Sequence, residues 1–241
     1  LSASAGDSAF APTVTLTAPL PAGFPCDPRM EWINDNATAP GFAFRRNTMQ
    51  SRRFGVLAMG RDGVIEGNAF VDNPGPSVLL LNDDDYDDPR EGRMGWMPRR
   101  VEVINNTFER CSRCAPDPWH AGSAAALLSV IGTAVVGPHA GPPAPFRRLR
   151  FRGVANITIA DNRITSWFRG PAINLGDAVA AVIWNNTIAG PPDAEGAAPA
   201  VAVSDADGVG VRRNTLVGGW RSIGAAVRVD MNSTALVVVE N

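Results

Sequence analysis

The chain has 241 residues, a formal net charge of −2 at pH 7 and 45% hydrophobic residues. This length suits one large domain or two small ones, with a substantial core. The near-neutral charge excludes a polybasic nucleic-acid binder and a strongly acidic disordered chain. No stretch approaches the ~20 continuous apolar residues of a membrane span. We therefore expect neither a nucleic acid nor a membrane as a partner, and the absence of Lys excludes lysine nucleophiles.

The first forty residues, 1–40, form a Pro- and Ala-rich lead-in and linker, for which we predict extended chain. From residue 41 onward one local pattern recurs up to the end of the chain. It places an apolar residue three positions before an Asn and another two positions after it. Its copies are FAFRRNTM 42–49, GVIEGNAF 63–70, VEVINNTF 101–108, ITIADNRI 157–164, AVIWNNTI 181–188, VGVRRNTL 209–216 and LVVVEN 236–241.

Alternating apolar residues followed by an Asn are typical of a short strand that turns at the Asn. Successive Asn residues are 21–28 positions apart, except for two longer intervals that we assign to inserted loops at about 82–98 and 109–147. Such a repeat favours an all-β, right-handed parallel β-helix, a pectin-lyase-like solenoid, for residues 41–241. The dense Leu pattern of leucine-rich repeats is absent, and propeller blades are longer.

Buried Asn side chains in stacked turns bind the coils above and below, so a structural role is the expected one for the Asn column. The Asn-X-Ser/Thr motifs offer a second role, as glycan acceptors in a secreted protein. They lie at Asn36, Asn105, Asn156, Asn185 and Asn232.

A second strand per coil is predicted between the Asn turns. Val56–Asp62 aligns with Val78–Asp84, and Ala172–Asp177 aligns with Ala200–Asp205. Stacked coils bring equivalent positions to about 4.8 Å from one another. We therefore expect the acidic residues at the strand exits to form a ridge along one side of the molecule.

The first insertion carries the clearest candidate site. Residues 82–96 read NDDDYDDPREGRMGW, with five Asp, one Glu, the only Tyr of the chain, Tyr86, and Trp96. Crowded carboxylates raise the pKa of at least one member, which is what acid/base cleavage of a sugar bond requires. A solvated acidic loop and a calcium loop are the alternatives, although the EF-hand spacing fails. No other cofactor is expected.

The second insertion contains the pair Cys111 and Cys114 and, close by, Trp119. One such pair, with Cys26 far away, does not make the four-ligand set of structural zinc. A disulfide or plain buried thiols are therefore the expected states. Trp119 is a candidate substrate contact, because the insertion could border the same cleft.

Several of these segments together resemble the α-1,3-galactosidases of glycoside hydrolase family 110, which have a right-handed β-helix. They are Pro40–Asn47, Ser51–Leu57 with Arg52 and Gly55 in the family's positions, Val64–Phe70, Gly75–Leu80 leading to Asp83, and Trp96 before Val101–Phe108. Phe54 replaces the second Arg of the family's motif, and the family's N-terminal coils and inserted β-domain are absent. The resemblance covers about the first two thirds of the chain.

The resemblance implies an inverting exo-acting hydrolase that cleaves terminal α-galactosides of an oligosaccharide or glycan. Asp83 and Asp84 are the candidate bases and Asp62 the candidate acid, with Arg52, Trp96, Tyr86 and Trp119 as substrate contacts. The alternatives are a non-catalytic carbohydrate-binding or structural module and, third, a polysaccharide lyase. A sugar-active protein with these sequons is expected in the secretory pathway or outside the cell.

Overall fold

The structure is a computed structural model of the whole chain, and it describes residues 3–4, 13–14, 40–50, 55–81, 98–111, 128–131, 134–136, 147–149, 154–166, 171–176, 178–189, 199–217, 226–229 and 233–238. Two compact units divide the chain, residues 1–34 and 35–241. In the first unit, β1 (Ala3–Ser4) and β2 (Thr13–Val14) form an antiparallel pair.

The second unit is all-β over its described residues and is dominated by three parallel sheets, which the chain visits repeatedly in the same order. The strands of the first sheet are β3 (Ala43–Arg45), β6 (Arg61–Glu66), β9 (Arg99–Ile104), β14 (Val154–Ala160), β17 (Ala178–Val179), β18 (Val182–Trp184), β21 (Asp207–Arg212) and β24 (Thr234–Val238). Those of the second sheet are β4 (Thr48–Gln50), β7 (Ala69–Val71), β10 (Thr107–Glu109), β15 (Arg163–Thr165), β19 (Thr187–Ala189) and β22 (Thr215–Val217). Those of the third sheet are β5 (Val56–Ala58), β8 (Val78–Leu81), β11 (Leu128–Ile131), β16 (Ile173–Gly176), β20 (Val201–Ser204) and β23 (Val227–Val229).

The predicted all-β class with parallel strands is confirmed for the described residues. Among them there is no helix, and therefore none that could cross a membrane. The second insertion contains elements that the sequence pattern did not reveal. Its strand β11 pairs with β8 and β16 in the third sheet, and β12 (Ala134–Val136) pairs antiparallel with β13 (Arg147–Leu149).

The core consists of columns of apolar side chains, and each coil contributes one side chain to a column. The residue three before the Asn is almost fully buried in the inner coils, as at Ile65, Val103 and Ile159. Two positions after the Asn, the rings of Phe70 and Phe108 stack with their centroids 4.9 Å apart. Because inward residues alternate with outward ones at a period of two, the apolar positions predicted from the repeat become one continuous core.

One exception in the apolar pattern is explained by its neighbour. Gly63 stands where other coils have an apolar residue five positions before the Asn. A Cβ built on Gly63 would lie 2.0 Å from Cε1 of Phe42, the residue at the equivalent position one coil earlier. The Phe42 ring fills the volume that a side chain at position 63 would need, so the two residues are complementary in size.

The last copy of the pattern was aligned wrongly by sequence. The register pairs Val211 with Val237 and Arg212 with Val238, one residue away from the predicted match between Val211 and Val238. The side chain of Asn241 lies outside the described residues.

Candidate functional site

An uninterrupted hydrogen-bonded ladder of Asn side chains follows the turn between the first and second sheets. At each step the backbone N–H and the Nδ2 of one Asn donate to Oδ1 of the Asn in the next coil, at 2.9–3.2 Å. Nδ2 also donates to a backbone carbonyl, for example from Asn106 to Ile65 at 2.9 Å. The ladder consists of Asn47, Asn68, Asn106, Asn162, Asn186 and Asn214. The predicted structural role of this column is confirmed.

The residue before each ladder Asn occupies the left-handed region of backbone space. We call this exposed column the outer turn. Its members, with φ between 53° and 65°, are Arg46, Gly67, Asn105, Asp161, Asn185 and Arg213. The left-handed conformation points each ladder Asn inward and its predecessor into solvent, and Asn and Gly adopt it at the lowest cost.

A second left-handed column lies where the chain passes from the third sheet to the first. We call it the Asp62 corner. The register aligns Asp62 with Arg100 in the next coil, and Arg100 with Asn156 in the one after. Ala180 and Gly208 continue the column, and all five residues have φ between 53° and 62°.

The carboxylate of Asp62 interacts with arginine side chains rather than with other carboxylates. Nε of Arg100 donates to Oδ1 of Asp62, and Nη2 of Arg100 donates to Oδ2 at 2.9 Å, a bidentate pair. Nε of Arg61 lies 3.7 Å from Oδ2. The hydrogen bond from Arg100 is the main cause that lowers the pKa of Asp62, and the positive charges of Arg100 and Arg61 add to it against partial desolvation. The carboxylate is thus ionised at neutral pH, which argues against its predicted role as the proton donor.

Of the predicted ridge of acidic side chains, the described residues include Asp62 and Asp205, and these two are not aligned with each other. Along its column, Asp62 is followed by the guanidinium of Arg100 and then, one coil further, by the amide of Asn156. Asp205 does not join this column, because Val56, Val78, Ile173 and Val201 are equivalent by register. That equivalence places Asp205 level with Gly60, two residues before Asp62. The exits of the third sheet therefore do not stack the described carboxylates against one another.

The other candidate residues are outside the described ranges. Asp83, Asp84, Tyr86 and Trp96 belong to residues 82–97, Arg52 to residues 51–54 and Trp119 to residues 112–127. The described structure brings both ends of the acidic insertion to the Asp62 corner. Leu81 ends β8, and Arg99 begins β9 with its N–H bonded to the carbonyl oxygen of Gly60 at 3.4 Å.

Sequence reasoning missed Arg100, although the Asn spacing contained the signal. Asn68 and Asn106 are 38 residues apart, and the same offset separates Asp62 from Arg100. It also separates Asp72 from Arg110, a second bidentate pair with 2.9 and 3.1 Å contacts. An alignment of the charged residues on the Asn repeat therefore predicts both pairs.

The described residues present no site for a metal ion: within these ranges, no three His, Cys, Asp or Glu side chains are grouped suitably. Cys111 is a free thiol, buried in the core at the start of the second insertion. Its Sγ donates to the carbonyl oxygens of Glu109 at 3.3 Å and Phe70 at 3.5 Å. Burial raises the pKa of this thiol, so it stays protonated and unreactive at neutral pH. Cys26 and Cys114 lie outside the described residues.

No protein-family model and no curated protein matches this chain. Among solved structures, a trypsin-treated form of QnrB1, a plasmid-mediated fluoroquinolone resistance protein, aligns over 79% of this chain and 91% of its own. The identity is 11% and the TM-score 0.17. A likeness of this size carries no argument about fold or activity, so the architecture rests on the strand pairings themselves.

Proposed function

We propose that the chain is a right-handed parallel β-helix that acts on carbohydrate, as an inverting exo-acting hydrolase of terminal α-galactosides. Its three parallel sheets, visited in a fixed order, support the solenoid. Crossovers between parallel strands of one sheet are right-handed in about 98% of proteins, which supports the handedness. The resemblance of Pro40–Phe108 to α-1,3-galactosidases supports the reaction and the substrate class.

One observation carries the location of the site. The acidic insertion leaves from Leu81 and returns at Pro98 beside the corner that holds Asp62 and Arg100. Asp83 follows the end of β8 by two residues in the sequence. We propose that it joins Asp62 and Arg100 at this corner.

In this proposal, the charge state of Asp62 decides which carboxyl group acts as the general base and which as the general acid. An inverting hydrolase needs one protonated and one ionised carboxyl group, about 6.5–9.5 Å apart. Asp62, which Arg100 keeps ionised, is suited to accept the proton of the attacking water. Asp83 or Asp84, crowded by like charges in the insertion, is suited to remain protonated and to donate to the leaving oxygen.

The test is hydrolysis of a nitrophenyl α-galactoside and of α-1,3-linked galactobiose by the full chain, with product anomers identified by NMR. We expect Asp62→Asn and the double change Asp83→Asn/Asp84→Asn each to lower kcat by about 10²–10⁴-fold. The matched control is Asp72→Asn, which removes a carboxylate from an equivalent Asp–Arg pair at a different corner. It should leave kcat unchanged.

Full activity in both sets of variants would remove the assignment. Lack of activity in the unaltered chain, with a β-rich circular dichroism spectrum, would remove the hydrolase itself. Calcium-dependent release of unsaturated products from a polyuronate would instead identify a lyase.

A second function, a non-catalytic carbohydrate-binding or structural module, is favoured by one specific feature. The Asp62–Arg100 pair has a close counterpart in Asp72–Arg110: the offset, the bidentate contact and the left-handed φ of both partners recur. The second pair lies at a corner without an acidic insertion. An Asp–Arg pair of this kind can therefore have a purely structural role, joining two coils. Retention of galactosides on the folded chain without turnover would favour this function.

A further inference from the structure

Two Asn-X-Thr motifs place their Asn on the outer turn, the exposed left-handed column that precedes the Asn ladder. Asn105 and Asn185 are exposed, with φ of 56° and 53°. Each is followed by a buried ladder residue, Asn106 or Asn186, whose side chain is bonded along the ladder. In both Asn-Asn pairs it is therefore the outward residue, not the inward one, that has Thr two positions later.

The accepting Thr of each motif is also open to solvent. Thr107 and Thr187 lie on the outer face of the second sheet and are exposed. A third motif, Asn156-Ile157-Thr158, has an exposed Asn but a half-buried Thr, and its Asn neighbours Arg100 at the Asp62 corner. The two motifs of the outer turn thus share a geometry that the third does not.

Backbone conformation alone does not explain Asn at these two positions. Arg46, Asp161 and Arg213 occupy the same column with φ of 54–56°, so the turn accepts other side chains. The side chains of the outer turn point away from the ladder, and Nδ2 of Asn185 donates to Oδ1 of Asp161 in the preceding coil. Thr also stands two positions after Arg46 and Arg213, so it belongs to the repeat. At Asn105 and Asn185 it completes the Asn-X-Thr motif that attachment of an N-linked glycan requires.

We propose that Asn105 and Asn185 carry N-linked oligosaccharides. In the transfer, Nδ2 forms a bond to C1 of the sugar while the bond from C1 to the phosphate oxygen of a lipid-linked pyrophosphate donor breaks. One amide hydrogen leaves as a proton, and the lipid pyrophosphate departs. The remaining N–H of Asn185 can keep its hydrogen bond to Oδ1 of Asp161, which is 2.5 Å long in the unmodified chain.

The two glycans would extend from the same edge of the molecule. Asn105 and Asn185 are separated along the outer turn by one member, Asp161, and thus by two coil steps, about 10 Å at the usual strand spacing. Because both point outward, attachment would leave every ladder hydrogen bond in place. The proposal is independent of the hydrolase, since it concerns a different edge of the coils.

The experiment is secretion of the full chain from eukaryotic cells behind a secretion leader, followed by glycopeptide mass spectrometry and endoglycosidase treatment. We expect modified peptides at Asn105 and Asn185, and none at Asn106 or Asn186. Thr107→Val should abolish the glycan at Asn105 alone, whereas Thr107→Ser, which restores the motif, should retain it.

The same pair of changes at Thr187 should control Asn185. Folding of each variant is checked by its circular dichroism spectrum. Mapping of the unaltered chain decides the question even if a Val variant fails to fold. Secreted, folded chain with unmodified Asn105 and Asn185 would overturn the proposal and leave the motifs as a by-product of the repeat.

Discussion

Replacing a central ladder residue by Ala tests how much the Asn column stabilises the fold. Asn106 is fully buried; its Oδ1 accepts from N–H and Nδ2 of Asn68, and its Nδ2 donates to the carbonyl of Ile65 and to Oδ1 of Asn162. In Asn106→Ala the N–H of Asn68 and the carbonyl of Ile65 lose partners inside the protein. At about 1–3 kcal/mol for each buried unsatisfied group, the free energy of unfolding should fall by about 2–6 kcal/mol.

The matched control is Asn47→Ala, at the first rung of the same ladder. Asn47 is exposed, and its backbone N–H still donates to Oδ1 of Asn68 after the change. Only the bonds from its Nδ2, to Asn68 and to the carbonyl of Arg45, are lost. Because no buried group is left unsatisfied, the free energy of unfolding should fall by less than about 1.5 kcal/mol.

Guanidinium chloride unfolding, followed by far-UV circular dichroism, measures both variants. The dependence of the unfolding free energy on denaturant should be unchanged, so that the midpoint shift reports stability. Equal losses in the two variants, within about 0.5 kcal/mol, would refute the reasoning that burial of unsatisfied groups sets the cost.

Three further predictions concern the core and the charged corner. Gly63→Val should destabilise the fold by about 1–3 kcal/mol because the new side chain overlaps the Phe42 ring. In a double-mutant cycle measured by denaturation, adding Phe42→Ala should recover part of this loss. Strictly additive losses of stability would contradict the complementary sizes of the two residues. Arg100→Gln should raise the pKa of Asp62 in a carboxyl NMR titration, since the hydrogen bond from Arg100 lowers it. The stabilisation from this pair is present above the ordinary aspartate pKa and is lost as pH falls through the lower pKa of the folded state. An unchanged pKa of Asp62 in Arg100→Gln would show that Arg100 does not lower it. Cys111 should react with iodoacetamide only after unfolding, because burial raises its pKa; peptide mapping that finds it labelled in the native chain at neutral pH would show the thiol to be accessible.

Much of the fold was predictable because a solenoid repeats one local pattern. Equivalent residues are hydrogen-bonded neighbours, so the spacing between Asn residues directly predicts which residues lie side by side. The 21-residue interval places Arg45 beside Glu66, whose ion pair spans 3.0 Å. The charges on outward positions could therefore have been paired from sequence alone.

The candidate site was less predictable because it depends on the corner between the third and first sheets. The register confirms the two alignments of the second strand, Val56 with Val78 and Ala172–Asp177 with Ala200–Asp205. The sequence missed the offset between these two pairs, because it matched them through their acidic residues, whereas the structure matches Val56 with Ile173. The shift of two residues separates Asp62 from the column of Asp205. A corner has no side-chain alternation to set its register, so sequence pattern carries little information there.

The sequence by itself determined the all-β parallel class, the inward apolar columns and the buried ladder of Asn, because each follows from a period that local residues impose. Only the tertiary structure decided that Asp205 lies out of register with Asp62, that β11 inside the second insertion completes the third sheet, and that Asn105 and Asn185 face solvent. These features arise where coils stack, and contacts between residues tens of positions apart, not local pattern, set their geometry.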